Sequence, residues 1–277
     1  MKRTLRNVWS PERSNRRDVH VYLPASYSAG RDRYPVVYMQ DGQNLSDPET
    51  AFAGTWELDT TLARLAERGI EAIVVGVDHA GDERLIEYSP YPDRRQGGGE
   101  ADAYLEFLAS TLKPRIDRLF RTRADRESTA IFGSSMGGLV SLYAYFRYPS
   151  IFGRAGAMSP SIWFGLSAVL DFIQEARTLG GRIYLDVGTS EGAGTLRDAR
   201  KLGRLLVRKG FRRRRARSAS LSANRWSASL SLRQPSGQAG ERDKDSSLRY
   251  FEDRGGRHSE ADWARRLEPA LEFLLHS

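Results

Sequence analysis

The stretch Gly133-Ser134-Ser135-Met136-Gly137 sets one serine midway between two glycines. Thr129 to Phe132 before it is a short apolar run suited to a strand. After it Met136, Leu139, Val140, Leu142, Tyr143 and Phe146 recur at helical spacing. A strand, a sharp turn and a helix around G-x-S-x-G form the setting of a nucleophile elbow, in which a strained turn lifts the serine hydroxyl clear of the sheet. Ser135 is therefore the expected nucleophile. Ser134 is disfavoured, because it would need glycine where Phe132 and Met136 stand. Two other glycine loops are excluded: a dinucleotide fingerprint needs glycine where Ser135 lies, and a phosphate-binding P-loop needs a Gly-Lys-Ser/Thr ending that is absent.

A serine hydroxyl attacks poorly unless a base accepts its proton and a third group orients that base. The chain has four histidines and no cysteine, so the base must be one of His20, His79, His258 and His276, while disulfides, thiolate metal sites and cysteine nucleophiles are ruled out. After an elbow serine the acid and then the histidine follow in chain order, on loops beyond later strands. Only His258 and His276 leave room for an intervening acid. His276 lies past the last core-facing leucine, so His258, in Gly255-Gly256-Arg257-His258, is the expected base. For the acid, Glu191 in a glycine-flanked loop is favoured over Asp186 inside a strand, with Asp253 or a Ser-His dyad as further readings. The oxyanion hole is expected to use the backbone N–H of Met136 and one from the early loop Asp41-Gly42-Gln43-Asn44, with Gln43 chosen and Gly42 next to it. Tyr88, His79 and Trp163 are the expected substrate-binding residues; Trp56 and Tyr91 are further candidates that could equally be core.

The elements that must hold these groups read as an α/β chain. Residues 4–9 and 18–23 alternate like antiparallel edge strands. Tyr34 to Met39 and Ala72 to Val77 are nearly continuous apolar runs, as expected of parallel strands covered on both faces. Helices are predicted over 56–68, 101–119 with a kink at Pro114, 196–209 and 260–275. Strands are predicted over 153–158, 181–187 and 248–251, and a loop over 79–99. This strand-helix alternation is that of an α/β fold. The 277 residues are expected to form one domain, soluble and cytoplasmic, since neither a signal-peptide core nor an apolar run of membrane-spanning length is found.

The net charge of +8 invites a nucleic-acid reading, but its distribution argues against one. Residues 211–247 hold eight arginines and Lys244 against three acids, a net +6, which leaves +2 for the rest. This Arg/Ser-rich segment is of low complexity, and only Trp226 interleaves its basic residues, so it reads as a disordered insertion.

Five motifs carry a resemblance to a known family: Tyr38-Met39-Gln40-Asp41-Gly42-Gln43-Asn44, Glu87-Tyr88-Ser89-Pro90, Phe132-Gly133-Ser134-Ser135-Met136-Gly137-Gly138, Leu185-Asp186-Val187-Gly188-Thr189-Ser190-Glu191-Gly192 and Gly256-Arg257-His258-Ser259-Glu260-Ala261-Asp262-Trp263. They resemble the esterase family of enterochelin esterase, S-formylglutathione hydrolase (esterase D) and the feruloyl esterases. The resemblance implies an α/β-hydrolase fold with a mostly parallel sheet, antiparallel N-terminal edge strands and helices on both faces. It implies Ser135, Glu191 and His258 as a triad, hydrolysis of a small-molecule carboxylic ester or thioester through an acyl-serine, and no metal or organic cofactor. An acyltransferase using the same acyl-serine is the chemical alternative, and a non-catalytic protein binding through the basic segment is the other. The segment departs from the family pattern, in which a short link joins the helix ending near Gly210 to the strand at Leu248. It is read as a surface insertion meeting anionic partners, as out-of-frame or inserted coding sequence, or as a nucleic-acid arm, the least favoured of the three. Deleting 212–246 is expected to leave ester hydrolysis intact in a folded protein, and loss of turnover would refute a passive segment.

Overall fold

The computed structural model describes residues 1–51, 53–214 and 246–276. Its strands, in chain order, are β1 (Lys2–Ser10), β2 (Asn15–Tyr22), β3 (Val36–Gln40), β4 (Ile73–Val77), β5 (Thr129–Ser134), β6 (Arg154–Met158), β7 (Arg182–Gly188), β8 (Arg212–Arg213) and β9 (Ser247–Asp253). They form one sheet in the order β1-β2-β4-β3-β5-β6-β7-β9-β8. Pairings β1–β2 and β2–β4 are antiparallel and the rest parallel, as the alternating N-terminal strands and the continuous apolar runs foretold.

Because strand side chains alternate between faces, each inner strand feeds two cores. Val36 and Tyr38 of β3 face one core, while Val37 and Met39 face the other. The second is covered by α1 (Leu58–Glu67) and α8 (Glu260–Leu275), through Leu58, Leu65, Trp263, Leu267 and Leu271. The first is covered by α2 (Arg84–Tyr88), α3 (Ala101–Glu106), α4 (Lys113–Leu119), α5 (Ser135–Arg147), α6 (Ala168–Glu175) and α7 (Ala193–Arg208). No helix among the described residues is long and apolar enough to cross a membrane.

Three expectations change. Residues 79–99 are not all loop, since Arg84–Tyr88 is helical with Tyr88 buried inward. The break in the 101–119 helix is a π-helical stretch, Phe107–Leu112, lying ahead of Pro114. The wider turn accommodates a proline that has no N–H to give and would crowd the carbonyl four residues back. The basic segment is anchored at both ends: Phe211 is buried, the Arg212 N–H donates to the Ser246 carbonyl at 3.0 Å, and the Arg214 N–H to that of Leu248 at 2.8 Å. The segment reads as a disordered insertion from 211 onward, yet Arg212 and Arg213 form an exposed edge strand, where charge guards against further pairing. The rest of the expected insertion, residues 215–245, lies outside the described residues.

Seven parallel strands, β3 to β9, run the same way in the sheet, and the edge at their carboxyl ends gathers the turns after β3, β5, β6, β7 and β9. In such sheets the crevice outside the strands' carboxyl ends is where ligands bind. The floor under it is held by close packing: Phe132 on β5 pairs with Gly156 on β6, and a Cβ at Gly156 would lie 2.0 Å from the phenyl ring. Phe132 also stacks edge-on to Trp56 at 6.1 Å, which makes Trp56 core rather than cleft lining. Gly156→Ala is expected to cost about 1–3 kcal/mol by overpacking, measured as a lowered urea midpoint with an unchanged m-value; an unshifted midpoint would contradict this packing.

Candidate active site

At the end of β5 the chain turns sharply. Ser134 is extended, with φ −116° and ψ 160°, and Ser135 has φ 54°, the left-handed region that costs a side-chain-bearing residue about 1–3 kcal/mol. Glycines make the turn possible, because a Cβ on Gly133 would stand 2.6 Å from the Gly137 backbone. Ser135 opens α5, so the N–H groups of its first turn, Met136 among them, have no partner within the helix and face the sheet's edge.

His258 comes from the turn after β9. It is held just before α8, whose cap is Ser259 accepting the Asp262 N–H. Its ring stands nearly perpendicular to that of Trp263, with centroids 4.9 Å apart. His258 Nε2 lies 2.9 Å from Ser135 Oγ, and Nδ1 lies 2.8 Å from Glu191 Oε2. The imidazole is 42% exposed while the Glu191 side chain is 1% exposed, so one side of the ring faces solvent and the other a buried carboxylate. Glu191 Oε1 accepts the Gly188 N–H at 2.7 Å and the Ser159 hydroxyl at 2.5 Å. Burial alone would raise the Glu191 pKa. The hydrogen bonds from His258, Ser159 and Gly188 outweigh it and hold the group below its ordinary 4.5. Asp186, by contrast, is fully buried within β7, accepts the Tyr184 hydroxyl at 2.9 Å, and is raised to about 6 by desolvation.

The loop after β3 closes the site from the other flank. Asp41, also left-handed at φ 56°, is gripped by Arg84 through two bonds of 2.6 and 2.9 Å, and its N–H donates to the Tyr88 hydroxyl at 3.2 Å. Gly42 packs on the backbone of Gly76, where a Cβ would come within 2.6 Å. The arm abuts the elbow, since the Cβ position of Gly137 is 3.0 Å from Gln40 Cβ and 3.2 Å from Asp41 Oδ2. Gln43 follows, its Oε1 accepting the His79 N–H at 3.4 Å. His79 is thus beside the arm, and burial lowers its pKa. Trp163 is 47% exposed on the segment after β6. Tyr88 is placed differently from the substrate-binding position expected of it: it is fully buried under the Asp41 loop and braces it.

Sequence reasoning missed the residues behind the site. Ser161 Oγ is 3.2 Å from Ser135 Oγ, and Ser159 joins Glu191 to Trp263 and Arg266. Arg266 carried a signal, being a charged residue within the apolar stripe Trp263, Leu267, Ala270 of the last helix. The serines carried little, sitting in an ordinary Ser-Pro-Ser turn.

The family model described as Putative esterase matches residues 10–274. The chain belongs to that esterase family. It is accordingly a carboxylic ester hydrolase with an α/β-hydrolase fold. It is 31% identical over 189 residues to the uncharacterized protein YbbA of Bacillus subtilis, a match covering 66% of this chain and 72% of that one. It is 30% identical over 147 residues to the siderophore triacetylfusarinine C esterase of Aspergillus fumigatus, covering 51% of this chain and 49% of that relative. The crystal structure of the BES protein from Bacillus cereus superposes with a TM-score of 0.71 over 100% of this chain and 95% of that one, at 20% identity, a likeness of fold.

The ionised Glu191 contributes stability that is present above the ordinary carboxylate range and is lost as pH falls through its lowered folded value. Glu191→Gln is expected to lose less unfolding free energy than wild type between about pH 5 and about pH 3, measured by urea titration; parallel losses would contradict the assignment.

Proposed function

We propose that the protein hydrolyses a small-molecule carboxylic ester through an acyl-serine, with Ser135, His258 and Glu191 as the triad. The observation that carries this reading is the unbroken line of contacts from Ser135 Oγ through both ring nitrogens of His258 to Glu191, at 2.9 and 2.8 Å. His258 Nε2 takes the Ser135 proton as Oγ attacks the carbonyl, and the ionised Glu191 holds the Nδ1–H and offsets the imidazolium charge. The Met136 and Gln43 N–H groups stabilise the oxyanion. His258 then gives its proton to the departing alcohol; it next takes a proton from a water whose oxygen adds to the acyl carbon, and returns that proton to Ser135 Oγ as the acyl–Oγ bond breaks and the carboxylic acid leaves.

Siderophore esters are the first substrates to test, since the Aspergillus fumigatus relative is named for one. His79 and Trp163, flanking the two loops of the cleft, would meet the acyl or alcohol portion. On p-nitrophenyl acetate Ser135→Ala is expected to lower kcat at least about 10⁴-fold with the fold retained, and Glu191→Gln by about 10²–10⁴-fold. Wild-type turnover by a folded Ser135→Ala protein would overturn the reading. A panel of hydroxamate and catecholate siderophore esters against simple alkyl esters, compared by kcat/KM, then ranks the substrate.

A further inference from the structure

Ser159, the residue after β6, has a hydroxyl with only one direction open to its proton. Its Oγ receives the indole N–H of Trp263 at 3.2 Å and a guanidinium N–H of Arg266 at 3.2 Å. Neither of those groups can accept a hydrogen bond, so the two fill both lone pairs of the hydroxyl. The remaining neighbour is Glu191 Oε1 at 2.5 Å, an ionised acceptor with no proton to give. The polarity of the chain Trp263 and Arg266 to Ser159 to Glu191 is therefore fixed by chemistry alone.

The surroundings indicate that this arrangement is held at some cost. Ser159 is fully buried and has φ 44°, a left-handed conformation unusual for serine. Its N–H is tied to β7 through the Asp186 carbonyl at 3.0 Å and carboxylate at 3.2 Å. Arg266, 2% exposed, lies 3.2 Å from Asp186 and 3.7 Å from Glu191. Strained, over-determined residues of this kind collect where geometry matters to function. Glutamate has three rotatable side-chain bonds, so a single donor from Gly188 leaves its carboxyl plane free to swing. A second donor on the same oxygen fixes which oxygen turns toward the imidazole.

We propose that Ser159 is a positioning residue for hydrolysis: its hydroxyl, oriented by Trp263 and Arg266, pins Oε1 of Glu191 so that Oε2 stays aligned with Nδ1 of His258. The proposal rests on the triad reading, and a double-mutant cycle separates the two. Ser159→Ala, which removes the hydroxyl and keeps the Cβ, is expected to lower kcat on p-nitrophenyl acetate by about 10–100-fold with KM within about twofold. In a Glu191→Ala background the same substitution is expected to change kcat by less than about twofold, because a residue acting through Glu191 has nothing left to act on. If Ser159→Ala fails to fold, Ser159→Gly, whose backbone suits a left-handed φ, carries the same cycle. Equal losses in both backgrounds, or no loss in either, would overturn the proposal. An unchanged kcat in Glu191→Ala alone would overturn the triad reading and this proposal with it.

Discussion

A carboxylate that is almost wholly shielded from water must be met by donors on every side, or it will protonate or drive the structure apart. Glu191 is in that position, and the site is arranged around keeping it charged. Its partners come from four separate pieces of chain: the Gly188 N–H from the end of β7, the Ser159 hydroxyl from the turn after β6, the His258 ring from the turn after β9, and the Arg266 cation from α8. The first three are delivered at the sheet's carboxyl edge, and the last by the helix that follows β9. The register of β6, β7 and β9 therefore sets the geometry of the site as much as any side chain within it. A slip of one residue in that pairing would turn the strands' side chains to the opposite face and shift the turns that carry these partners.

The second constraint is backbone strain on the two sides of the crevice. Ser135, Asp41 and Ser159 all adopt positive φ without being glycine, and each is fastened by tight neighbours. Arg84 and Tyr88 hold Asp41, the glycines beneath the elbow admit Ser135, and Asp186 with Arg266 holds Ser159. A shallow turn would leave the serine hydroxyl buried in the sheet; a loose early loop would leave its N–H groups unaimed. The rigidity of the α/β scaffold is what makes such local strain sustainable.

Much of this was legible from the sequence. Apolar runs without alternation gave away the parallel strands, and glycines at fixed offsets around Ser135 gave the elbow, because only one backbone path satisfies them. The order serine, acid, histidine then selected Glu191 and His258 as neighbours, and the distances between them are short. What stayed hidden was relational. Tyr88 and Trp56 looked like loop-borne aromatics, but whether a ring points to solvent or core depends on which element covers it; here Tyr104 of α3 packs on Tyr88 and Trp263 of α8 on Trp56. Helix α6 went unread because its inward residues, Val169, Leu170 and Ile173, make a stripe of only two turns. Ser159 was invisible for a different reason: its role depends on partners 32, 104 and 107 positions away, a juxtaposition that no local pattern encodes.

The central claim is that one hydroxyl, and no neighbouring one, is activated by His258. The direct test is labelling with a fluorophosphonate followed by mass spectrometry of the intact protein and its peptides. A single adduct on Ser135, absent from Ser134 and Ser161 and lost when His258 is replaced by alanine, is the predicted result. An adduct on another serine, or labelling of Ser135 at an undiminished rate in His258→Ala, would contradict it.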